Sequence, residues 1–180
     1  MARLFDEHKK REVKLLSGTW QMLKDQQNVG RNEGWQNGLC GAHTVTVPSV
    51  WNCEIDMLTY EGAVWYEKKF HTAGGTLRFN FGSVMTDAEV YLDGEFLGRH
   101  YGGFLRFDFI KENVSAGEHL LTVRADNSFD HAAIPQPTVD WYHYGGITRA
   151  VELETLRGIF VLSTVMPRSV SSSTARVIPP

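Results

Sequence analysis

Apolar and polar residues alternate along this chain in short bursts rather than in helical stripes. Val64, Tyr66, Lys68 and Phe70 alternate with Trp65, Glu67 and Lys69, and Leu77, Phe79 and Phe81 alternate with Arg78 and Asn80. A period of two puts one set of side chains on the inner face of a sheet. Thr19 to Lys24 reads the same way, with Trp20 and Met22 on one face, and His43 to Val47 follows until Pro48 ends it. Ala88 to Leu92, Asp93-Gly94 and Glu95 to Arg99 form a hairpin signature, because Asp-Gly tolerates the positive φ angles of a type I′ turn. Leu105 to Ile110, His119 to Ala125, Thr148 to Glu154 and Ile159 to Val165 bring the total to nine or ten strands. Seventeen glycines punctuate these runs. Many short strands joined by turns predict an all-β sandwich or barrel. Helical turns are expected only in the charged leader and around Asn32 to Asn37, and no repeat of 20 to 50 residues points to a propeller or solenoid.

One segment breaks the rhythm. Asp126 to Gly146 holds two prolines and six aromatic or imidazole side chains without clean alternation. A long ordered loop in a compact domain is usually functional. The Ser-rich tail from Pro167 ends in Pro-Pro and is expected to fray.

Composition narrows the function. A chain of 180 residues with 42% hydrophobic and 22% charged residues fits one globular domain and excludes disorder. An α/β barrel of about 250 residues does not fit. A net charge of −3 gives no footprint for nucleic acid or an anionic membrane. The run Asp6-Glu7-His8-Lys9-Lys10-Arg11 interrupts the first apolar residues, so neither a signal peptide nor a membrane span is expected, and the reading is cytoplasmic. Cys40 and Cys53 match neither a disulfide framework nor zinc spacing and read as reduced thiols. Asn113-Val114-Ser115 reads as a loop rather than a glycosylation site. No Gly-x-Ser-x-Gly elbow marks a serine nucleophile, and the Gly-Gly pairs belong to no phosphate loop. The histidine spacings match no metal motif, so no metal or other cofactor is expected.

The irregular loop offers the more specific chemistry. Asp126, Asp130 and Asp140 fall in or beside it, next to Trp141-Tyr142-His143-Tyr144. Aromatic faces stack on sugar rings and carboxylates accept hydrogen bonds from hydroxyls, which suits carbohydrate. The same aromatic residues could equally anchor the loop to its own sheet, and Asp126-Asn127 could simply cap a turn.

Six strings carry a resemblance, in order: Arg11–Trp20 (REVKLLSGTW), Val47–Asn52 (VPSVWN), Tyr60–Tyr66 (YEGAVWY), Ala88–Glu95 (AEVYLDGE), His100–Phe104 (HYGGF) and Asp140–Arg149 (DWYHYGGITR). Together they resemble the N-terminal domain of glycoside hydrolase family 2 enzymes, especially the β-glucuronidase and β-galactosidase branches. The resemblance implies a galactose-binding-like jelly-roll β-sandwich over 11–156, after a charged leader (1–10) and before the start of a truncated second domain and frayed tail (157–180). It implies a carbohydrate ligand, a β-glucuronide or β-galactoside, and a catalytic (β/α)8 barrel as partner, and leaves homo-oligomerisation open. The family's two catalytic glutamates lie on that barrel, so this chain is expected to be inactive alone. Retaining hydrolysis needs two carboxyl groups about 5 Å apart flanking the scissile bond, and the sequence fixes no such pair here. The resemblance assigns Asp140 to the glycone pocket, with Trp141, His143 and Tyr144 as further substrate-binding candidates. Arg149 is expected to anchor the loop. Met85 departs from the galactosidase branch, which tends to carry an asparagine nearby.

Two other roles compete. A stand-alone carbohydrate-binding module would show saturable binding of glucuronides or galactosides by the chain itself. A purely structural or oligomerisation domain would tolerate replacement of Asp140.

Overall fold

The computed structural model describes residues 11–128 and 140–156. The charged leader, Asp130, the strand expected at Ile159 to Val165 and the start of a second domain with its tail lie outside the described residues.

The period-two segments become strands: β1 (Arg11–Leu15), β2 (Gly18–Asp25), β3 (His43–Val47), β4 (Ala63–Thr72), β5 (Gly75–Phe81), β6 (Val84–Met85), β7 (Asp87–Leu92), β8 (Glu95–Tyr101), β9 (Phe107–Val114), β10 (Gly117–Asp126), β11 (Gly146–Ile147) and β12 (Val151–Leu156). They pair antiparallel into a four-stranded sheet, β1-β12-β5-β9, and a six-stranded sheet, β3-β2-β4-β10-β7-β8, with a ribbon of β6 and β11. Neither sheet closes on itself, so the architecture is a jelly-roll sandwich and not a barrel. The hairpin turn carries φ 49° at Asp93 and 81° at Gly94, as a type I′ turn requires. A 3-10 turn over Trp35–Asn37 meets the expectation around Asn32 to Asn37; two more, Trp51–Cys53 and Ile55–Met57, were not foreseen.

The inner faces supply the core. Trp20 and Met22 from β2, Val64, Tyr66 and Phe70 from β4, Phe79 and Phe81 from β5, and Leu121 and Val123 from β10 are buried together. Each large apolar side chain so buried contributes about 1.5–3 kcal/mol. Alternation predicts that Trp65, on the outer face of β4, meets water. It is instead completely buried, because the segment after β2 folds over it. Trp35 packs edge-on at 6.3 Å, Tyr91 stacks at 5.7 Å, and the Trp65 indole N–H donates to Asp25 Oδ2 at 2.9 Å. The same carboxylate accepts from the backbone N–H groups of Val29 and Gly30, which pins the covering segment. Arg31 closes it with a two-pronged contact to Glu89, at 2.9 and 2.5 Å.

A buried histidine ties two turns together at the hairpin. Nδ1 of His119 lies 2.6 Å from Asp93 Oδ2, and Nε2 lies 3.0 Å from the Ser115 carbonyl. Both partners accept, and only the imidazolium donates from both nitrogens. Burial opposes the charge, but Asp93 and the Ser115 carbonyl hold the pKa of His119 above its ordinary value. A raised folded-state pKa stabilises fully below the unfolded value, and the contribution is lost as pH rises through the folded value. Melting the chain between about pH 6 and pH 8 should therefore show this part of the stability falling as pH rises. In His119→Gln the slope should flatten; an unchanged slope would refute the double-donor role.

Candidate functional site

The described C-terminal part of the irregular segment, 140–146, has a fixed base and an exposed tip. At the base, Gly145 and Gly146 run across the indole of Trp51, and a Cβ at Gly145 would overlap that ring. A Cβ at Gly146, where φ is 131°, would crowd the Ser49 carbonyl. Two glycines are therefore what lets the loop lie flat there. The backbone N–H of Trp51 donates to the Gly145 carbonyl at 3.0 Å, and that of Ser49 to the Ile147 carbonyl at 2.9 Å.

Two buried asparagines complete the base. Asn52 Oδ1 accepts from the Gly145 N–H at 2.9 Å, while its Nδ2 donates to the carbonyls of Met57 and Leu58 at 3.2 and 3.3 Å. Asn127 Oδ1 accepts from the Gly62 N–H at 2.9 Å, and its Nδ2 donates to the His143 carbonyl at 3.4 Å. On the other side, the hydroxyls of Ser83 and Thr148 lie 2.7 Å apart, and Ser83 donates to the Gly103 carbonyl at 2.5 Å. Met85 pairs in register with Gly146 and is buried against Gly103, so the departure from asparagine puts a thioether beside the base.

The tip faces solvent. Asp140 is exposed, Trp141 and Tyr144 are 55% and 48% exposed, and His143 is half-buried. The rings of Tyr142 and Tyr144 lie 5.1 Å apart, and the Tyr142 hydroxyl donates to the Leu58 carbonyl. Ile55 and Leu58, on the turn that Asn52 holds, are 90% and 51% exposed. All four substrate-binding candidates, Asp140, Trp141, His143 and Tyr144, thus belong to one anchored loop.

One open alternative is decided, for the turn cap, and one expectation changes. Asp126 is no pocket carboxylate: it pairs with Arg124 at 2.6 Å and accepts from the Ser128 N–H at 2.8 Å, which makes it a turn cap. Burial works against its charge, yet the hydrogen bonds from Ser128 and the Arg124 guanidinium keep it below the usual carboxylate range. Arg149 is exposed, and the loop is held by Asn52, Asn127, Ser83 and Thr148 instead. Asn52 and Asn127 carry no sequence signal for this role, since each finds its partners only after folding. Among the described residues, no group of three or more His, Cys, Asp or Glu side chains is placed to hold a metal ion.

Residues 13–157 match the model of the glycosyl hydrolases family 2 sugar binding domain. A β-glucuronidase of Paenibacillus borealis is 27% identical over 84% of the chain, which spans 30% of that enzyme. A β-galactosidase of Thermoanaerobacter pseudethanolicus is 39% identical over 54% of the chain, corresponding to 14% of the enzyme. Among solved structures, a family 2 β-galacturonidase from Eisenbergiella tayi bound to glycerol superposes with a TM-score of 0.74 at 32% identity, covering 89% of this chain and 27% of that one.

The base makes a steric prediction. Gly145→Ala forces its new Cβ into the Trp51 indole. Overpacking of this kind costs about 1–3 kcal/mol. The variant should melt lower and change its tryptophan fluorescence; a wild-type melt and spectrum would show that the loop does not rest on Trp51.

Proposed function

The chain belongs to the sugar-binding domain family of the family 2 glycosyl hydrolases, and on that premise we propose that it completes the glycone pocket of a β-glycosidase. The reaction's acid/base and nucleophile belong to a separate catalytic barrel, and this domain is non-catalytic. The observation that carries the reading is the contrast within one loop: a base fixed by buried asparagines holds an exposed carboxylate next to exposed aromatic residues. Among the described residues, no hydrogen bond or ion pair of the sandwich holds Asp140 there. A carboxylate at the tip accepts hydrogen bonds from sugar hydroxyls, and Trp141 or Tyr144 offers a face to the apolar side of a sugar ring. His143, half-buried and tethered through its carbonyl, orients the tip.

The substrate class follows from the relatives, two acting on uronides and one on galactosides by their names. A β-linked hexuronide or galactoside fits the donors and acceptors of the loop. The exposed Ile55 and Leu58 beside it suit a protein surface, and apolar patches of this kind mark interaction sites. That surface is assigned to the barrel.

Two outcomes are expected. The purified chain should show no turnover of aryl β-glucuronides or β-galactosides; a rate that survives repurification and scales with chain concentration would overturn the non-catalytic reading. Asp140→Ala should leave the melting temperature of the chain unchanged, because an exposed tip residue caps nothing in the sandwich. In an enzyme assembled with a family 2 barrel, the same change should lower kcat/KM by about one to two orders of magnitude, the value of one charged hydrogen bond. Unchanged activity with a destabilised domain would make Asp140 structural.

A further inference from the structure

A second feature lies away from the loop. Between β1 and the end of β4 a cleft of about 350 Å³ opens at the side of the sandwich. Lys68 occupies the inner-face register of β4, between the buried Tyr66 and Phe70. A lysine there is stable only because the cleft gives its head group a way out, and the ammonium donates to the Thr19 carbonyl at 2.7 Å. From the facing wall, Lys14 Nζ donates to the His71 carbonyl at 3.3 Å. An ammonium has three donors. Each of these two is tethered through one and keeps two, and neither pairs with a carboxylate among the described residues. Lys69 and Glu118 border the cleft, while Leu16 and Phe70 form a buried apolar floor.

We propose that this cleft is a binding site for a uronate saccharide, with Lys14 and Lys68 holding its carboxylate. The volume falls at the lower end of the range for small-ligand sites and suits one or two sugar rings. Excess positive charge selects an anion, and backbone tethering places the two ammonium groups before the ligand arrives, which reduces the ordering cost of binding. The buried apolar floor suits a sugar ring better than a compact inorganic ion. The site does not depend on the pocket role of Asp140, and the two ideas stand or fall separately.

The test is an amide NMR titration of the chain with digalacturonate, methyl β-glucuronide, methyl β-glucoside and inorganic phosphate. Shifts for the two uronates should saturate at Lys14 to Leu16 and Lys68 to His71, and should weaken with added salt. The neutral glucoside should give none. Lys68→Met, which keeps length and packing, and Lys14→Met should each weaken uronate binding about tenfold, the equivalent of about 1.4 kcal/mol. Asp140→Ala should leave these shifts intact. Absence of uronate shifts here, equal binding of the glucoside, phosphate binding as tight as uronate, or full affinity in both lysine variants would each overturn the proposal.

Discussion

An indole ring and a Cβ cannot occupy the same space, and that exclusion organises the end of this sandwich where its exposed loop emerges. Trp51 is buried, donates through its indole N–H to the Tyr60 carbonyl at 3.3 Å, and has Gly145 lying on its face. Asn52, the next residue, accepts from the Gly145 N–H and donates to the following turn. The loop, the 3-10 turns before β4 and the approach to β4 are therefore one packed unit. Tyr66, a core residue of β4, has its hydroxyl directly beneath Gly146, so the loop takes its register from the central sheet. Were either glycine to carry a side chain, the base would have to lift, and the tip residues would move with it.

Charge is handled in three ways on the same scaffold. On the outer face of the six-stranded sheet, Asp25, Arg31, Glu89, Arg124 and Asp126 bond to one another, to Asn28 or to the backbone under the covering segment, with Arg124 Nε alone of that guanidinium left buried without a partner. Buried groups of this kind stabilise only when fully partnered. At the loop tip Asp140 remains in water. At the side cleft Lys68 and Lys14 each donate to one backbone carbonyl and pair with no carboxylate among the described residues. The difference follows from where the strand pairing ends: β2 pairs with β4 only as far as Glu67, and Lys68 is the next residue.

Much of the fold was legible because one-sided burial writes itself as a period of two. β3 was read to the residue, β2 and β7 to within one residue at each end, and the Asp93-Gly94 turn from its chemistry. β1 escaped because an edge strand pairs on one side only and tolerates charge, so Arg-Glu-Val-Lys-Leu offers just Val13 and Leu15 on one face, too short a run to stand out. β6 and β11, two residues each, are too short to have a period. Trp65 misled for the opposite reason, since a distant segment covers a face that alternation assigns to water. In the site, the aromatic run and its aspartate were visible, but the residues that hold them were not. Asn52 meets Gly145 across 93 positions of chain, and no local pattern distinguishes such an asparagine from one in an ordinary turn.

The position of an exposed side chain is only as precise as its support. A free surface loop loses conformational entropy when a ligand orders it, and each immobilised side chain costs about 0.5–1.5 kcal/mol of affinity. Here the backbone on the C-terminal side of the tip is fixed before any ligand arrives, by Asn127 at His143, by Asn52 at Gly145 and by β6 at Gly146 and Ile147. Among the described residues, what these bonds leave to a ligand is the ordering of the exposed side chains of Asp140, Trp141 and Tyr144. A fixed base beneath an exposed carboxylate and aromatic rings is what the proposed pocket role asks of this loop.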